Sequence, residues 1–205
     1  MNYEPSAISL LKPTNMGKSR LEAFSDGVLA IIITIMVLEL KVPHGASLAD
    51  LQGVRHVFVS YILSFVYIAI YWNNHHHMMH AVHNVTGSVL WTNVHLLFWL
   101  SLVPFTTGWM GENHFAMWPV ALYGLNLLMA GIAYYFLAHS LVDVHGKNSA
   151  FAKALGEDWK GKVSVIIYAA AIGLCFIHPM IAFALYVLVA AMWFIPDKRF
   201  EKDFD

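Results

Sequence analysis

The sequence predicts an all-α integral membrane protein, and two features of its composition predict it. Of the 205 residues, 59% are hydrophobic and only 12% are charged. Soluble domains are typically about 45–50% apolar and about 25% charged, so this chain lacks the charge needed to cover a soluble globule. The mean hydropathy of +0.59 agrees. A disordered chain is excluded as well, because disordered segments have low hydrophobicity.

Charge and cysteine content exclude several other classes. The 12 basic and 13 acidic residues give a net charge of −1, which gives no reason to expect a nucleic acid partner. The single cysteine, Cys175, excludes an intrachain disulfide framework and a cysteine-rich metal site. Residues 1–17 contain charges and prolines but no apolar core, so we expect no cleavable signal peptide.

Six segments are long and apolar enough, or nearly so, to be membrane spans. A helix needs about 20 residues to cross roughly 30 Å of hydrocarbon. The predicted spans are residues 21–40, 54–72, 88–106, 116–142, 163–177 and 179–195. The last two are short and form a tight hairpin at His178-Pro179. Glycines are predicted to let these helices approach closely, namely Gly124, Gly131 and Gly173. Residues 1–205 thus form one six-helix transmembrane unit.

The basic residues orient these spans. If the N-terminus is cytoplasmic, ten of the twelve Lys and Arg residues lie on the cytoplasmic side, and only Lys41 and Arg55 lie outside. This asymmetry follows the positive-inside rule and requires an even number of spans. We therefore expect a multi-pass protein of the plasma membrane bilayer with both termini in the cytoplasm.

The first predicted helix has two faces of different chemistry. Asp26 lies roughly one turn inside the cytoplasmic boundary, and an ionisable residue within a span is costly unless a partner or water satisfies it. Ile31, Thr34, Ile35 and Leu38 form a stripe within about 60° of Ile31, and Asp26 lies about 140° from Ile31 around the helix. Periodicity alone favours the interpretation that both faces are packed in a protein core.

Several motifs together point to a family. Arg20 begins the pattern Arg-x-x-x-Phe-Ser-Asp, which is followed by an Ile/Thr-rich run that ends in Leu-Glu-Leu. Further on come Trp72-Asn73-Asn74-His75-His76, Trp91-Thr92-Asn93 and Pro104-Phe105-Thr106. These features resemble the transmembrane protein 175 family of potassium channels, in which prokaryotic members have one six-helix unit and endosomal and lysosomal members have two. The resemblance covers the first half of the chain by motif and the second half by topology.

This resemblance implies a homotetramer in which four copies of the first helix line a central pore. The narrowest point would be Ile31, and the layers that follow it would be Thr34, Ile35 and Leu38. The signature residues would hold the pore helix against its neighbours, and they are Arg20, Phe24, Ser25 and Asp26. His75 and His76 match a family pair that would contact the signature face, with Asn93 as a further network partner.

A hydrophobic constriction would then take the place of a carbonyl filter. The family lacks such a filter, and this sequence has no Thr-Val-Gly-Tyr-Gly segment. Narrow apolar walls can gate by dewetting, and Thr34 would add a weak polar layer. We expect potassium ions as the permeant ligand, modest discrimination against sodium, and no cofactor. Glu39 would either form a cation-attracting ring at the outer mouth or face the lipid headgroups.

The histidine content is unusual and leaves a metal site open. Twelve histidines are present, five of them within residues 75–83. His76, His80 and His83 share one face at helical spacing, and His-x-x-x-His can bind a metal. Such spacing often occurs without a metal, so a partly protonated interfacial tract is the better interpretation. Because histidine titrates near neutrality, His75 and His76 are also candidates for pH-dependent opening.

Two other classes of function remain as alternatives at this point. A histidine-rich membrane oxidoreductase that binds a metal or haem would use His76, His80, His83 and His95 as ligands. A secondary transporter is disfavoured by the single unit, the lack of paired broken helices and the presence of only one deep carboxylate.

Overall fold

A computed structural model describes residues 16–80, 82, 85–156 and 158–194, and every regular element in these ranges is a helix. The helices are α1 (Met16–Leu38), α2 (Leu48–Gly53), α3 (Arg55–His80), α4 (Gly87–Ser101), α5 (Val103–Glu112), α6 (Met117–His145), α7 (Ala150–Leu155), α8 (Trp159–Cys175) and α9 (Pro179–Phe194). For these ranges the prediction of an all-α protein is confirmed.

Four helical stretches in the described part of the chain are long and apolar enough to cross a membrane. They are Gly17–Leu38, Arg55–His80, Gly87–Glu112 and Met117–His145. The third stretch is α4 and α5 together, because Leu102 between them keeps a right-handed helical backbone conformation. Helices α8 and α9 have 17 and 16 residues, so they are shorter than an ordinary span, as the sequence predicted for this hairpin.

Several helix boundaries differ from the predicted spans. Helix α3 continues eight residues beyond residue 72 and includes most of the histidine tract, because polar residues can extend a helix past the apolar stretch that hydropathy detects. Helix α1 ends at Leu38, so Glu39 lies in the turn that follows rather than on the helix itself. The short helices α2 and α7 were not predicted, since neither is apolar enough to resemble a span.

Local sequence explains several helix ends. Thr86 caps α4 by accepting a hydrogen bond from the Val89 N–H, and Asp158 caps α8 by accepting one from the Gly161 N–H. Both residues satisfy backbone donors that a helix start leaves unpaired. Gly146 follows the last residue of α6 as its C-cap, and its φ of +87° suits a residue without a Cβ atom.

The packing places α1 at one side of the subunit and the α8–α9 hairpin at another. Helix α1 packs against α3, α4 and α5, whereas α8 and α9 pack against each other and against α6. Two hydrophobic cores result. One includes residues of α1, α3, α4 and α6, and the other joins α3, α5 and α6 to α8 and α9. One face of α1 is therefore left outside the core of the subunit.

Candidate functional site

One face of α1 is anchored in the subunit. Its buried residues recur every three or four positions, which is the spacing of a single helix face. They are Leu21, Ser25, Leu29, Ile32 and Met36, and each is at most 4% exposed. This face packs against α3, α4 and α5, so the orientation of α1 within the subunit is fixed.

The predicted pore stripe lies on the opposite side of α1 and is exposed. Ile31 is 58% exposed and Leu38 is 81% exposed, and Thr34 and Ile35 are exposed beside them. At 100° per residue the stripe is centred about 130° from the buried face. The interpretation that both faces are packed in a core is therefore wrong for the isolated subunit. This stripe, which has three apolar side chains and one hydroxyl, therefore remains available for contacts outside the subunit.

The Thr34 hydroxyl has a defined orientation. Its Oγ1 donates a hydrogen bond to the Ile31 carbonyl oxygen at 2.8 Å. A hydroxyl has one hydrogen and two lone pairs, and this bond uses the hydrogen. The oxygen lone pairs of an exposed Thr34 are therefore free to accept from water or to face a cation.

A buried network ties α1 to α3 and α4. Asn93 Nδ2 donates to Ser25 Oγ at 3.0 Å, and Ser25 Oγ donates to the Leu21 carbonyl at 2.8 Å. His75 Nε2 lies 2.8 Å from Asn93 Oδ1, and since an amide oxygen only accepts, Nε2 carries the hydrogen. All three side chains are at most 3% exposed. The structure thus brings together three residues that the sequence singled out, on three different helices.

Asp26 is held by a separate contact. Trp72 Nε1 donates to Asp26 Oδ1 at 3.0 Å, which joins α1 to α3. The carboxylate was expected to be buried, but it is exposed in the subunit, because it lies at the flank of the buried face. In the sequence Trp72 stands out only as part of a motif. Nothing local connects positions 46 residues apart, so this pairing could not be found from spacing.

The other two signature residues make no such contacts in the part of the subunit that the structure describes. Phe24 is 57% exposed and Arg20 is exposed. Among the described residues, neither side chain forms a hydrogen bond or an ion pair with another part of the chain. Phe24 lies within about 20° of the Ile31 direction around the helix, so both Phe24 and the stripe face away from the subunit core.

The family follows from comparison with known proteins. Residues 20–104 match the family described as "Endosomal/lysosomal potassium channel TMEM175". A protein of Chryseobacterium sp. (strain P1-3), named a potassium channel, is 55% identical over 187 residues, which are 91% of this chain and 97% of that protein. The chain belongs to the TMEM175 family.

Solved and animal TMEM175 proteins extend this comparison. The crystal structure of a lysosomal potassium-selective channel TMEM175 homolog from Chamaesiphon minutus matches with a TM-score of 0.76 and 26% sequence identity, over 88% of this chain and 97% of that one. A rat protein named endosomal/lysosomal proton channel TMEM175 is 33% identical over 100 residues, which are 43% of this chain and 20% of the rat protein. A member of this channel family is not an enzyme, and the oxidoreductase alternative has no support.

The described histidines of this TMEM175 family member lie at most in small groups that do not converge on one point. His76 stacks on Trp72 and lies one turn from His80, with ring centroids 6.0 Å apart. His95 accepts a hydrogen bond from Trp99 instead, and His83 lies outside the described residues. Within the part of the chain that the structure describes, no three His, Cys, Asp or Glu side chains converge to hold a metal ion.

At the other end of α1, an ion pair joins the chain after the helix to α5. Lys41 Nζ lies 2.6 Å from Glu112 Oε1. This hydrogen bond with Glu112, aided by the charge of the carboxylate, raises the pKa of Lys41 above its ordinary value. Glu39 is exposed nearby in the turn. The pair, which sequence reasoning missed, ties the last turn of α1 to the end of α5.

Proposed function

We propose that this protein is a potassium-permeable cation channel in which four copies of α1 surround a central pore. One observation carries the proposal, namely the exposed stripe of Ile31, Thr34, Ile35 and Leu38 on a helix whose other face is anchored. It is supported by the names of two relatives, the Chryseobacterium potassium channel and the Chamaesiphon potassium-selective channel.

A homo-oligomer follows from the geometry of a single pore helix. Each subunit contributes one such helix, and one helix cannot enclose a channel. In our proposal Phe24 and Arg20 contact neighbouring subunits, because among the described residues neither has a hydrogen-bond or ion-pair partner in its own subunit. Ser25 and Asp26 act inside the subunit, where Asn93 and Trp72 hold them. The signature thus divides into residues that position the pore helix and residues that assemble the tetramer.

The gate in this proposal is a hydrophobic constriction at Ile31. A ring of four isoleucine side chains excludes water when it is narrow, and an ion then cannot pass without losing its hydration shell. One turn further on, Thr34 presents oxygen lone pairs to a partly hydrated cation, and Ile35 and Leu38 complete the lining. Such a pore has no rigid ring of carbonyls, so potassium is preferred over sodium only modestly.

The remaining parts of the proposal concern the membrane setting. Helices α8 and α9 are the fifth and sixth spans, and both termini lie in the cytoplasm of a plasma membrane protein. Glu39 lies at the outer mouth, where a ring of carboxylates concentrates cations. His75 and His76 lie at the inner end of α3, where protonation would act on the network that holds α1.

Potassium flux from liposomes tests the proposal. Purified protein is reconstituted with a potassium gradient, and the wild type is compared with Ile31→Asn. A polar residue at the constriction keeps it hydrated, so we expect a higher flux and a lower selectivity for potassium over sodium. Val37→Asn is the matched control, since Val37 is 45% exposed on the same helix but about 120° away from Ile31. Equal flux in wild type and Ile31→Asn would mean that Ile31 is not the constriction.

A further inference from the structure

A cavity of about 520 Å³ lies on the side of the subunit away from α1. Its walls come from α3, α6, α8 and α9, and its residues include Tyr71, Gly131, Val165 and Tyr168. Tyr135 and Ile166, which line it too, are 38% and 67% exposed. The cavity therefore opens on the outer surface of the subunit. Its volume falls within the roughly 300–1,000 Å³ typical of ligand sites.

The interior of this cavity offers mainly apolar contacts, because several polar groups in its wall are already hydrogen-bonded. Among its polar wall groups, the Tyr67 hydroxyl donates to the Tyr186 carbonyl and Asn74 Nδ2 donates to the Ile70 carbonyl. Ser164 Oγ donates to the Lys160 carbonyl and accepts from Trp193 Nε1. These groups already have partners in the protein. The accessible wall surface is mostly carbon, so an occupant contacts it mainly through hydrocarbon.

A glycine on α6 keeps the cavity open. A Cβ atom at Gly131 would lie 3.8 Å from Val165 Cγ2 and 3.9 Å from Tyr168 Cε2, which is ordinary van der Waals contact. Alanine therefore fits at this position, and a longer side chain would extend into the space. Gly131→Ala should therefore preserve the cavity, and Gly131→Leu should fill it.

Charge is present at one end of the cavity. Lys162, in the first turn of α8, lines the cavity and is exposed. No ion pair joins Lys162 to another residue in the described ranges. Asp158 is also in the wall, but it is buried and its Oδ1 accepts from the Gly161 N–H as the cap of α8. Lys162 thus offers a cationic group beside an apolar chamber.

We propose that this cavity binds a membrane phospholipid, with one acyl chain in the chamber and the phosphate on Lys162. The chamber opens at the surface of a membrane protein, where acyl chains are the surrounding solvent. Its charged end matches the position of a headgroup, and an ammonium group binds phosphate through charge-assisted hydrogen bonds. This inference needs only the membrane setting and holds whether or not the pore runs along α1.

Native mass spectrometry of the delipidated oligomer in detergent tests the site. Phosphatidylglycerol is added, with diacylglycerol as the probe that lacks a phosphate. We expect one phosphatidylglycerol per subunit in the wild type and in Gly131→Ala, and none in Gly131→Leu. Lys162→Gln weakens binding about tenfold, as expected when one charge-assisted hydrogen bond is lost. Lys153→Gln, an exposed lysine on α7 that does not line the cavity, leaves binding unchanged.

Three outcomes would overturn the inference. The first is equal phosphatidylglycerol binding in the wild type, Gly131→Leu and Lys162→Gln. The second is equal binding of diacylglycerol and phosphatidylglycerol by the wild type. The third is a smaller oligomer in Gly131→Leu with unchanged lipid binding, which would show that a second copy of the chain covers the cavity. If Gly131→Leu does not fold, the surface variant Lys162→Gln decides the question.

Discussion

Asn93 donates its side-chain N–H to the hydroxyl of Ser25 across the interface between α4 and α1, at 3.0 Å and with both residues fully buried. The oxygen of the same amide accepts a hydrogen bond from His75 on α3. One side chain therefore bonds to two other helices. This junction lies on the anchored face of α1, so it fixes how the opposite stripe is presented.

Asn93→Ala should destabilise the protein. The substitution removes the donor to Ser25 Oγ and the acceptor for His75 at a buried site, and we expect a loss of about 1–2 kcal/mol in the free energy of unfolding. Thermal unfolding in detergent measures this as a lower Tm. Asn113→Ala is the control, because Asn113 is exposed and donates only to the Trp109 carbonyl. An equal Tm in the two variants would show that the junction does not anchor α1.

Gly124→Ala should disturb the packing of α6 on α9. A Cβ atom at this position would overlap the hydroxyl of Tyr186 and lie 2.6 Å from its Cζ. Tyr186 is completely buried, so it cannot move without cost. Overpacking of this kind costs about 1–3 kcal/mol.

Gly173→Ala is the matched control for that experiment. It also lies inside a helix, but a Cβ atom there meets nothing within 4 Å. Alanine favours a helix over glycine by roughly 0.5–1 kcal/mol, so this variant should be as stable as the wild type or more stable. Chemical unfolding of both variants measures the difference. A Gly124→Ala protein as stable as Gly173→Ala would contradict the close approach of α6 and α9.

Thr34→Val should lower the preference for potassium over sodium. Valine has nearly the shape of threonine but lacks the oxygen whose lone pairs face away from the Ile31 carbonyl. Reversal potentials under bi-ionic conditions should therefore show a permeability ratio closer to one. Thr34→Ser retains the hydroxyl and should retain the ratio. If valine and serine variants select alike, Thr34 does not contact the permeating ion.

Local periodicity allowed the helical class to be predicted and placed Ile31, Thr34, Ile35 and Leu38 on one stripe of α1, but it did not show that this stripe stays exposed. In the folded subunit the residues of the Ile31 stripe and the buried residues between them each recur at helical spacing. The family signature at Arg20–Asp26 added a role for each residue. None of this required knowledge of how the helices pack.

The features that could not be predicted from the sequence depend on tertiary contacts. Trp72 reaches Asp26, and Lys41 reaches Glu112, across 46 and 71 positions, and no spacing rule connects residues so far apart. Asp26 was expected to be buried, yet its place at the edge of the anchored face leaves it exposed.

The three glycines predicted to allow close helix packing also differ from one another. Gly124 allows close approach as predicted, Gly131 makes ordinary contacts, and no described residue of the subunit approaches Gly173.

A cysteine scan of α1 in a background without other cysteines tests the central claim most directly. Cys175, buried on α8, is replaced by serine, which keeps a donor for the Met117 carbonyl. Single cysteines are then placed at Thr34 and Leu38 on the stripe, at Ile32 on the buried face, and at Val37 on the remaining exposed side. A small cationic thiol reagent is added during potassium flux from liposomes.

We predict that the reagent blocks flux through the Thr34→Cys and Leu38→Cys channels and leaves the Ile32→Cys and Val37→Cys channels conducting. Block at Val37 with none at Thr34 and Leu38 would contradict the account, because it would place the pore on a different face of α1.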